Sequence, residues 1–182
     1  DFVFDRRDST LMYYEGGSRK NFYTGAEEGI NGAGKYILHA TDTNTLFYYT
    51  TNIFRSTNVR AIPGSSVSWT QISNNLGGNN TNTFLACAFP YTSRSTFYAF
   101  KANSLFFRCD NINATTPVWT QLTWPYTDQI VKFETADIDS NVLYAVTNSN
   151  KIFKSKDRGN TWTDLTKNLP ANTIIRFIID QK

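Results

Sequence analysis

The sequence predicts an all-β fold built from repeated four-stranded sheets, and three observations lead to that prediction. Aromatic residues make up 15% of the 182 residues, and this composition favours many short strands. The apolar runs are no longer than a strand requires, and Asn, Thr and Gly are frequent between them. The same block of residues also occurs three times in the chain.

Each copy of the block contains an aromatic run, then a basic residue followed by Ser or Cys, and then a Trp-Thr pair. The basic residues are Arg55, Arg108 and Lys154, and the tryptophans are Trp69, Trp119 and Trp162. The tryptophans lie 50 and 43 positions apart. This spacing suits a four-stranded unit, because leucine-rich repeats recur at roughly 20–29 residues.

Four strands, A to D, are predicted in each block. An apolar run that reads as strand A precedes each copy, at 36–38, 84–89 and 130–133, and the strand B runs are 46–49, 96–99 and 142–145. Strand A is hydrophobic on both sides, as expected where neighbouring sheets cover both faces. Asn residues between strands B and C predict tight antiparallel turns. We therefore predict the four-stranded antiparallel blades of a β-propeller.

The predicted blades span residues 35–78, 79–125 and 126–170. Residues 1–34 are predicted to form a degenerate first blade, with strands at 2–5 and 10–14 and an irregular loop, and residues 171–182 the inner strand of a further blade, at 173–179. Propellers close with about four to eight blades, so we expect a piece of a larger propeller. Its remaining blades would belong to the same parent chain or to a second copy. Two immunoglobulin-like sandwiches would leave the threefold repeat unexplained.

Charge and hydropathy exclude several kinds of partner. The net charge of +3 is scattered, without the basic run that a nucleic acid partner requires. No apolar stretch reaches the roughly eighteen residues of a membrane-inserted helix, and the chain begins at Asp1 without a signal peptide. Cys87 and Cys109 fall on strands A and C, about 9–10 Å apart, which predicts two reduced thiols. No metal site and no cofactor are predicted.

One segment of the third block has a specific motif. Residues 155–162 fit the pattern Ser-x-Asp-x-Gly-x-Thr-Trp through Ser155, Asp157, Gly159, Thr161 and Trp162. The segment resembles the Asp box of the bacterial neuraminidase repeat (BNR) and of sortilin-like propellers. That resemblance implies a structural turn between strands C and D, in which the Asp accepts backbone hydrogen bonds, the Gly has positive φ and the Trp packs between sheets. The earlier copies are incomplete and keep only Ser56 with Asn58, and Asn111.

The resemblance covers roughly residues 35–182 and implies a fold more than an activity. Similar propellers include sialidases, xyloglucan-cleaving glycoside hydrolases, sortilin-type receptors and photosystem assembly factors. An extracellular or cell-surface location is what the resemblance implies. It also implies that ligands bind the face built from the B–C and D–A loops, whereas the A–B and C–D turns lie on the opposite face.

No catalytic constellation can be aligned in the sequence. A glycosidase needs two carboxylates about 5–10 Å apart, and Asp137 and Asp139 are the nearest match, but they fall in a predicted A–B turn where Asp is a natural turn former. His39 has no partner with catalytic or metal-ligand spacing, which favours a histidine of the core or central channel. The arginines at the repeated position on strand C are expected to be packing or surface residues.

Two irregular segments are candidate functional loops, at 15–34 and 73–83. The first is favoured because it departs from the repeat and contains acidic, basic and aromatic residues, of which the candidate binding residues are Glu15, Tyr23, Glu27 and Glu28. The leading hypothesis is a non-catalytic extracellular or cell-surface propeller module that binds carbohydrate or protein through its loop face. The alternatives are a fragment of a glycoside hydrolase, sialidase-like or xyloglucanase-like, with catalytic carboxylates partly outside this chain, and an assembly factor that docks a membrane complex.

Overall fold

The structure is a computed structural model that describes residues 12–15, 18–21, 35–39, 41–61, 66–73, 76–77, 82–90, 92–136 and 138–169. These residues form fourteen β-strands. Within the same ranges, no helix is long and apolar enough to cross a membrane. The chain divides into two compact units, residues 1–83 and 84–182, and each unit is described by itself.

The first unit contains a hairpin that the sequence did not predict. Strands β1 (Met12–Glu15) and β2 (Ser18–Asn21) pair antiparallel, with Glu15 opposite Ser18. The expectation of an irregular loop over residues 18–21 is therefore wrong. The sequence signal that was missed is the Gly-Gly pair at positions 16 and 17, because Gly-Gly is a favoured sequence between two hairpin strands. The strand predicted at 2–5 lies outside the described residues.

The first sheet completes the described part of this unit. It consists of β3 (Lys35–Leu38), β4 (Leu46–Tyr49), β5 (Ile53–Ser56) and β6 (Thr70–Gln71), all antiparallel and in chain order. Every residue of β4 is buried, as expected for a strand inside a sheet with both faces covered. Trp69 precedes β6 and packs edge-on against Tyr48, with ring centroids 6.3 Å apart.

The second unit contains two further four-stranded antiparallel sheets, each in chain order. The second sheet consists of β7 (Phe84–Ala88), β8 (Phe97–Lys101), β9 (Leu105–Cys109) and β10 (Trp119–Leu122). The third sheet consists of β11 (Ile130–Thr135), β12 (Leu143–Thr147), β13 (Ile152–Ser155) and β14 (Thr163–Asp164). The prediction of three four-stranded antiparallel sheets is confirmed.

The strand register is the same in all three sheets. The repeated basic residue on the third strand lies opposite the Thr that follows the repeated Trp, in the pairs Arg55–Thr70, Arg108–Thr120 and Lys154–Thr163. One detail of the prediction is wrong, because β8 and β12 begin one residue later than expected. The amides of Thr96 and Val142 close the preceding turns by donating to Ser93 and Asp139 carbonyls.

An aromatic cluster joins the second and third sheets. On one side lie Tyr98, Phe100 and Phe106 of the second sheet, and on the other lie Phe133 and Phe153 of the third. Phe106 and Phe133 have ring centroids 5.6 Å apart, a distance at which aromatic pairs contribute about 0.5–1.5 kcal/mol beyond area burial. The two sheets therefore share one hydrophobic core.

The two cysteines occupy the predicted strands. Cys87 lies in β7 and Cys109 in β9, and β8 runs between these strands. Both are buried thiols, as predicted from the separation of strands that are not neighbours in a sheet.

Candidate functional site

The turn between β13 and β14, residues 155–162, is organised around one carboxylate. Asp157 Oδ1 accepts hydrogen bonds from the Thr161 amide and the Ser155 hydroxyl, both at 2.8 Å, and Oδ2 accepts from the Thr161 hydroxyl at 2.6 Å. The Ser155 oxygen in turn accepts the Gly159 amide at 2.9 Å. These contacts replace the ladder of hydrogen bonds that the chain loses where it reverses. We call residues 155–162 the Asp turn.

The Asp157 carboxyl is held in its ionised form. Burial raises the pKa of this group, but hydrogen bonds from Thr161 and Ser155 outweigh burial, so the net pKa lies below the usual value for Asp. Hydrogen bonds to the charged form of an acid have this effect. A general acid would require the opposite shift.

The two incomplete copies keep the same geometry with an amide in place of the carboxylate. The Asn58 side-chain oxygen accepts the Ser68 amide at 3.0 Å, and that of Asn111 accepts the Val118 amide at 2.8 Å. Like Thr161, each of these donors directly precedes the repeated Trp. The acceptor and donor are 10, 7 and 4 residues apart in the three sheets. The contact therefore persists although the length of the turn varies.

The Asp turn also packs the third sheet against the second. Gly159 has a φ of +86°, and a Cβ added there would lie 2.7 Å from Phe106 Cε1. The position therefore requires glycine both for its backbone conformation and for space. Trp162 packs on Phe106, Phe133 and Trp124, with ring centroids 6.0, 6.2 and 5.1 Å apart.

Charged groups reinforce this junction. The Arg158 guanidinium forms an ion pair with Asp110 and donates to the Thr96 hydroxyl at 3.3 Å. Arg108 lies at the repeated basic position and donates to the Arg158 carbonyl and to Asp110, both at 3.1 Å. The Asp turn is thus fixed on the edge of the second sheet through both its backbone and its side chains, which is a structural role.

The opposite end of the same two sheets carries a second ordered cluster. The connection from the second to the third sheet, 123–129, lies against the β12–β13 turn, 148–151, and we call these two segments the loop face. The Asn148 amide donates to the Gln129 carbonyl at 2.9 Å, and the Gln129 amide donates to the Asn148 side-chain oxygen at 3.1 Å. Asp128 accepts from the Ser149 hydroxyl at 2.7 Å and forms an ion pair with Lys151 at 3.0 Å.

The electrostatics of the loop face follow from these contacts. The Ser149 hydrogen bond is the largest cause that lowers the pKa of Asp128, and the Lys151 ammonium contributes in the same direction. The hydrogen bond to Asp128 raises the pKa of Lys151. Asp128 and Lys151 are therefore both charged at neutral pH, and they form an ordered ion pair on the loop face.

Aromatic side chains of the loop face pack into the hydrophobic core and so fix its position. The indole of Trp124 donates to the Asp128 carbonyl at 2.7 Å, and its ring lies 5.2 Å from that of Phe153. Tyr126 packs against Phe153, with the two rings tilted by 33° and their centroids 4.2 Å apart, and is half-buried. The residues that remain exposed on this face are small or polar: Thr123, Pro125, Thr127, Asn148, Ser149 and Lys151. The arrangement is a preorganised surface that offers polar groups beside an aromatic ring.

All six aspartates of the described residues are hydrogen-bond acceptors within the structure: Asp42, Asp110, Asp128, Asp139, Asp157 and Asp164. Asp139 accepts the Asn141 amide at 2.9 Å, as expected of a turn former. Its predicted companion, Asp137, lies outside the described residues. In the part of the chain that the structure describes, no group of three or more His, Cys, Asp or Glu residues could hold a metal ion.

His39 has a structural role at the end of β3 rather than within it. Its Nδ1 accepts the amides of Thr41 and Asp42 at 3.2 and 3.0 Å. Its ring stacks on Phe47, with centroids 6.4 Å apart. The side chain is buried, so this histidine caps the turn to β4.

The candidate binding residues from the sequence are not brought together by the described structure. Glu15 ends β1, whereas Tyr23, Glu27 and Glu28 lie outside the described residues. In the second candidate loop, the Ser73 hydroxyl accepts the Ile53 amide at 2.7 Å and is buried.

The sequence analysis did not identify the loop face. Trp124 and Tyr126 follow the repeat of the second blade, at positions where the other copies have no aromatic pair. This departure from the repeat is the sequence signal that could have identified the loop face. The ion pair between Asp128 and Lys151 spans 23 positions of sequence, and no local pattern predicts it.

Comparison with solved structures supports the architecture. A structure of YCF48 bound to a D1 peptide matches with a TM-score of 0.53 and 11% identity, covering 73% of this chain and 44% of that chain. The outer coat vertex of COPII on membranes matches with a TM-score of 0.62 and 15% identity, covering 86% of this chain and 44% of that one. These proteins are β-propellers. The three sheets are propeller blades.

A third match is the xyloglucanase of glycoside hydrolase family 74 from Xanthomonas campestris, with a TM-score of 0.53, 17% identity, and coverage of 70% of this chain and 20% of that chain. The chain thus spans less than half the length of each of these structures. No protein-family model matches the sequence, and no curated protein matches it.

Proposed function

We propose that this chain is a non-catalytic propeller module that binds a partner through the loop face. The observation that carries the proposal is the preorganised cluster of Asp128, Ser149 and Lys151, in which Asp128 lies on the same connection as the half-buried Tyr126. A surface that is already ordered loses little entropy on binding. Tyr and small polar groups are also common in recognition surfaces.

The aspartates support a binding role over a catalytic one. Hydrogen bonds hold the pKa of Asp42, Asp128, Asp157 and Asp164 below the usual value. A glycosidase acid needs a raised pKa so that it can donate a proton near neutral pH. These four groups are therefore acceptors at the pH at which such an acid must be protonated.

The partner that we propose first is a protein segment. Among the propellers of similar fold, YCF48 has been captured with a peptide and COPII assembles as a coat on membranes. Carbohydrate is the second ligand class, because a half-buried Tyr126 on a face that also carries hydroxyl and amide groups suits a sugar. We place the module outside the cell or at its surface, following its resemblance to Asp-box propellers.

Peptide and glycan arrays test the proposal on matched variants. Thr127 is exposed on the loop face, and Thr115 is exposed on the connection between β9 and β10, at the opposite end of the second sheet. Thr127→Arg should weaken binding to every array hit at least about tenfold, whereas Thr115→Arg should leave it unchanged. Equal loss in both variants, or no hit on either array, would overturn the proposal.

A glycoside hydrolase fragment is the second candidate function, and the similarity of fold to a xyloglucanase supports it. Its test is hydrolysis of xyloglucan and of sialosides by the intact chain. Activity that is lost in Glu27→Gln or Glu28→Gln would establish this candidate and refute the non-catalytic module. Activity retained in both variants would place the catalytic carboxylates elsewhere.

A further inference from the structure

The connection between β9 and β10 contains a three-residue sequence that the proposed binding function does not use. Residues 113–115 read Asn-Ala-Thr, and Asn-x-Thr is the acceptor sequence for N-linked glycosylation when the middle residue is not Pro. We call residues 113–115 the acceptor sequence. A second match, at 79–81, lies outside the described residues. Because so short a pattern also occurs by chance, the geometry around Asn113 has to support the assignment.

The connection is anchored at Ile112, directly before the acceptor sequence. The Ile112 amide donates to the Ser95 carbonyl at 2.9 Å, and the Ile112 side chain retains none of its accessible surface. Asn113 follows at once and is exposed, as is Thr115. The two residues on which N-glycosylation depends are therefore both presented to solvent from an ordered turn, and a bulky substituent on Asn113 would not enter the core.

The Asn113 side-chain amide can take a sugar and keep its present contact. Its Nδ2 donates to the Arg94 carbonyl at 2.7 Å, which uses one of the two amide hydrogens. In N-glycosylation, Nδ2 forms a bond to the anomeric carbon of an oligosaccharide, the polyprenyl diphosphate that carried the oligosaccharide leaves, and one amide hydrogen is lost as a proton. One N–H group remains and can still donate to the Arg94 carbonyl.

The acceptor sequence lies at the end of the second sheet that is remote from the loop face. Strand β9 has five residues and separates the two ends by roughly 15 Å. The hydrogen bond between Asn111 and the Val118 amide closes a turn of 7 residues, compared with 4 in the Asp turn, and the acceptor sequence lies inside this longer turn. A glycan is bulky and solubilising, so it would cover this end and leave the loop face open.

We propose that Asn113 carries an N-linked glycan at the end of the second sheet opposite the loop face. The acceptor atom is Nδ2, and the donor is a lipid-linked oligosaccharide of a secretory compartment. This assignment rests on the extracellular or cell-surface location given with the proposed function, and it uses no property of the loop face. The glycan keeps this end of the sheet in solvent, so that a binding partner has access to the loop face alone.

Peptide mass spectrometry on the full chain, secreted from a eukaryotic cell line, tests the site. Asn79→Gln serves as the background because it removes the other match. Enzymatic removal of N-glycans in heavy-oxygen water converts an occupied Asn113 into a labelled aspartate, and we expect the label in most copies of the peptide. Asn113→Gln and Thr115→Ala should each abolish the glycan, whereas Thr115→Ser keeps the acceptor sequence and should retain it.

Thr116→Ala is the matched control, because Thr116 is exposed in the same connection but lies outside the acceptor sequence. It should leave the glycan unchanged, and an equal loss in Thr116→Ala and Thr115→Ala would overturn the proposal. An unmodified Asn113 in the secreted, folded protein would also overturn it, even if the peptide and glycan arrays gave hits. A glycan on Asn113 in a protein without array hits would support this proposal and refute the binding function alone.

Discussion

At the scale of single residues, the repeated turn depends on an acceptor oxygen rather than on a negative charge. Asn58 and Asn111 accept the amide before the Trp at 3.0 and 2.8 Å, and Asp157 accepts it at 2.8 Å. The geometry is nearly the same with a neutral amide and with a carboxylate. The carboxylate adds a second acceptor atom, which binds the Thr161 hydroxyl.

Two substitutions of Asp157 should therefore lower the free energy of unfolding by different amounts. Asp157→Ala removes both acceptor atoms and should lower the free energy of unfolding by about 1–3 kcal/mol. Asp157→Asn keeps the acceptor for the Thr161 amide and should cost roughly half as much or less. Urea unfolding at pH 7 measures both changes. An equal loss would show that the charge, not the acceptor geometry, stabilises the turn.

At the scale of elements, the Asp turn links two sheets as well as two strands. Gly159 is buried beneath Phe106, and Arg158 forms an ion pair with Asp110. One turn thus positions the edge of the third sheet on the second. Its backbone conformation and the packing between the sheets depend on each other.

Gly159→Ala should therefore be costly for two separate reasons. A residue with a Cβ at a φ of +86° loses about 1–2 kcal/mol, and the contact with Phe106 adds about 1–3 kcal/mol of overpacking. Gly77 has a φ of +79°, so Gly77→Ala carries a similar backbone cost and is the matched control. Denaturant unfolding of both variants should show the larger loss for Gly159→Ala, and equal losses would exclude the packing contribution.

At the scale of the whole molecule, several carboxylates make stability depend on pH. The pKa is lowered in Asp42, Asp128 and Asp164 chiefly by hydrogen bonds from side chains, and in Asp157 by hydrogen bonds that outweigh burial. Each group binds a proton more readily in the unfolded chain, where its pKa is about 3.9. Its contribution to stability is therefore complete above that value and is lost as pH falls through the lower pKa of the folded state.

The midpoint of urea unfolding should accordingly be constant near neutral pH and fall between about pH 5 and pH 2. Asp157→Asn has no titrating group at this position, so its midpoint should fall less over the same interval. Parallel pH profiles of the two proteins would show that Asp157 contributes nothing to the acid sensitivity.

The sequence predicts the parts of this fold that repeat and misses those that occur once. Three copies of a basic residue followed by a Trp-Thr pair located the third and fourth strands, because strand pairing imposes the same residue order and register in each blade although the turn length varies. The hairpin at 12–21 and the Asp128–Lys151 pair have no second copy, so nothing in the chain could be aligned with them. The ion pair joins two segments that are brought together only when β11 pairs with β12.

The turn between the third and fourth strands differs in length among the three sheets, and this variation indicates where the chain can accept insertions. The side-chain oxygen and its amide donor close a loop of 10, 7 or 4 residues in the three sheets, and closing the longest instead of the shortest costs only about 1 kcal/mol of chain entropy. Peptide insertions between residues 58 and 68 or between 111 and 118 are therefore cheap, whichever sequence they carry. These turns are the natural grafting points of the scaffold, where new segments can be accepted while every strand keeps its partner.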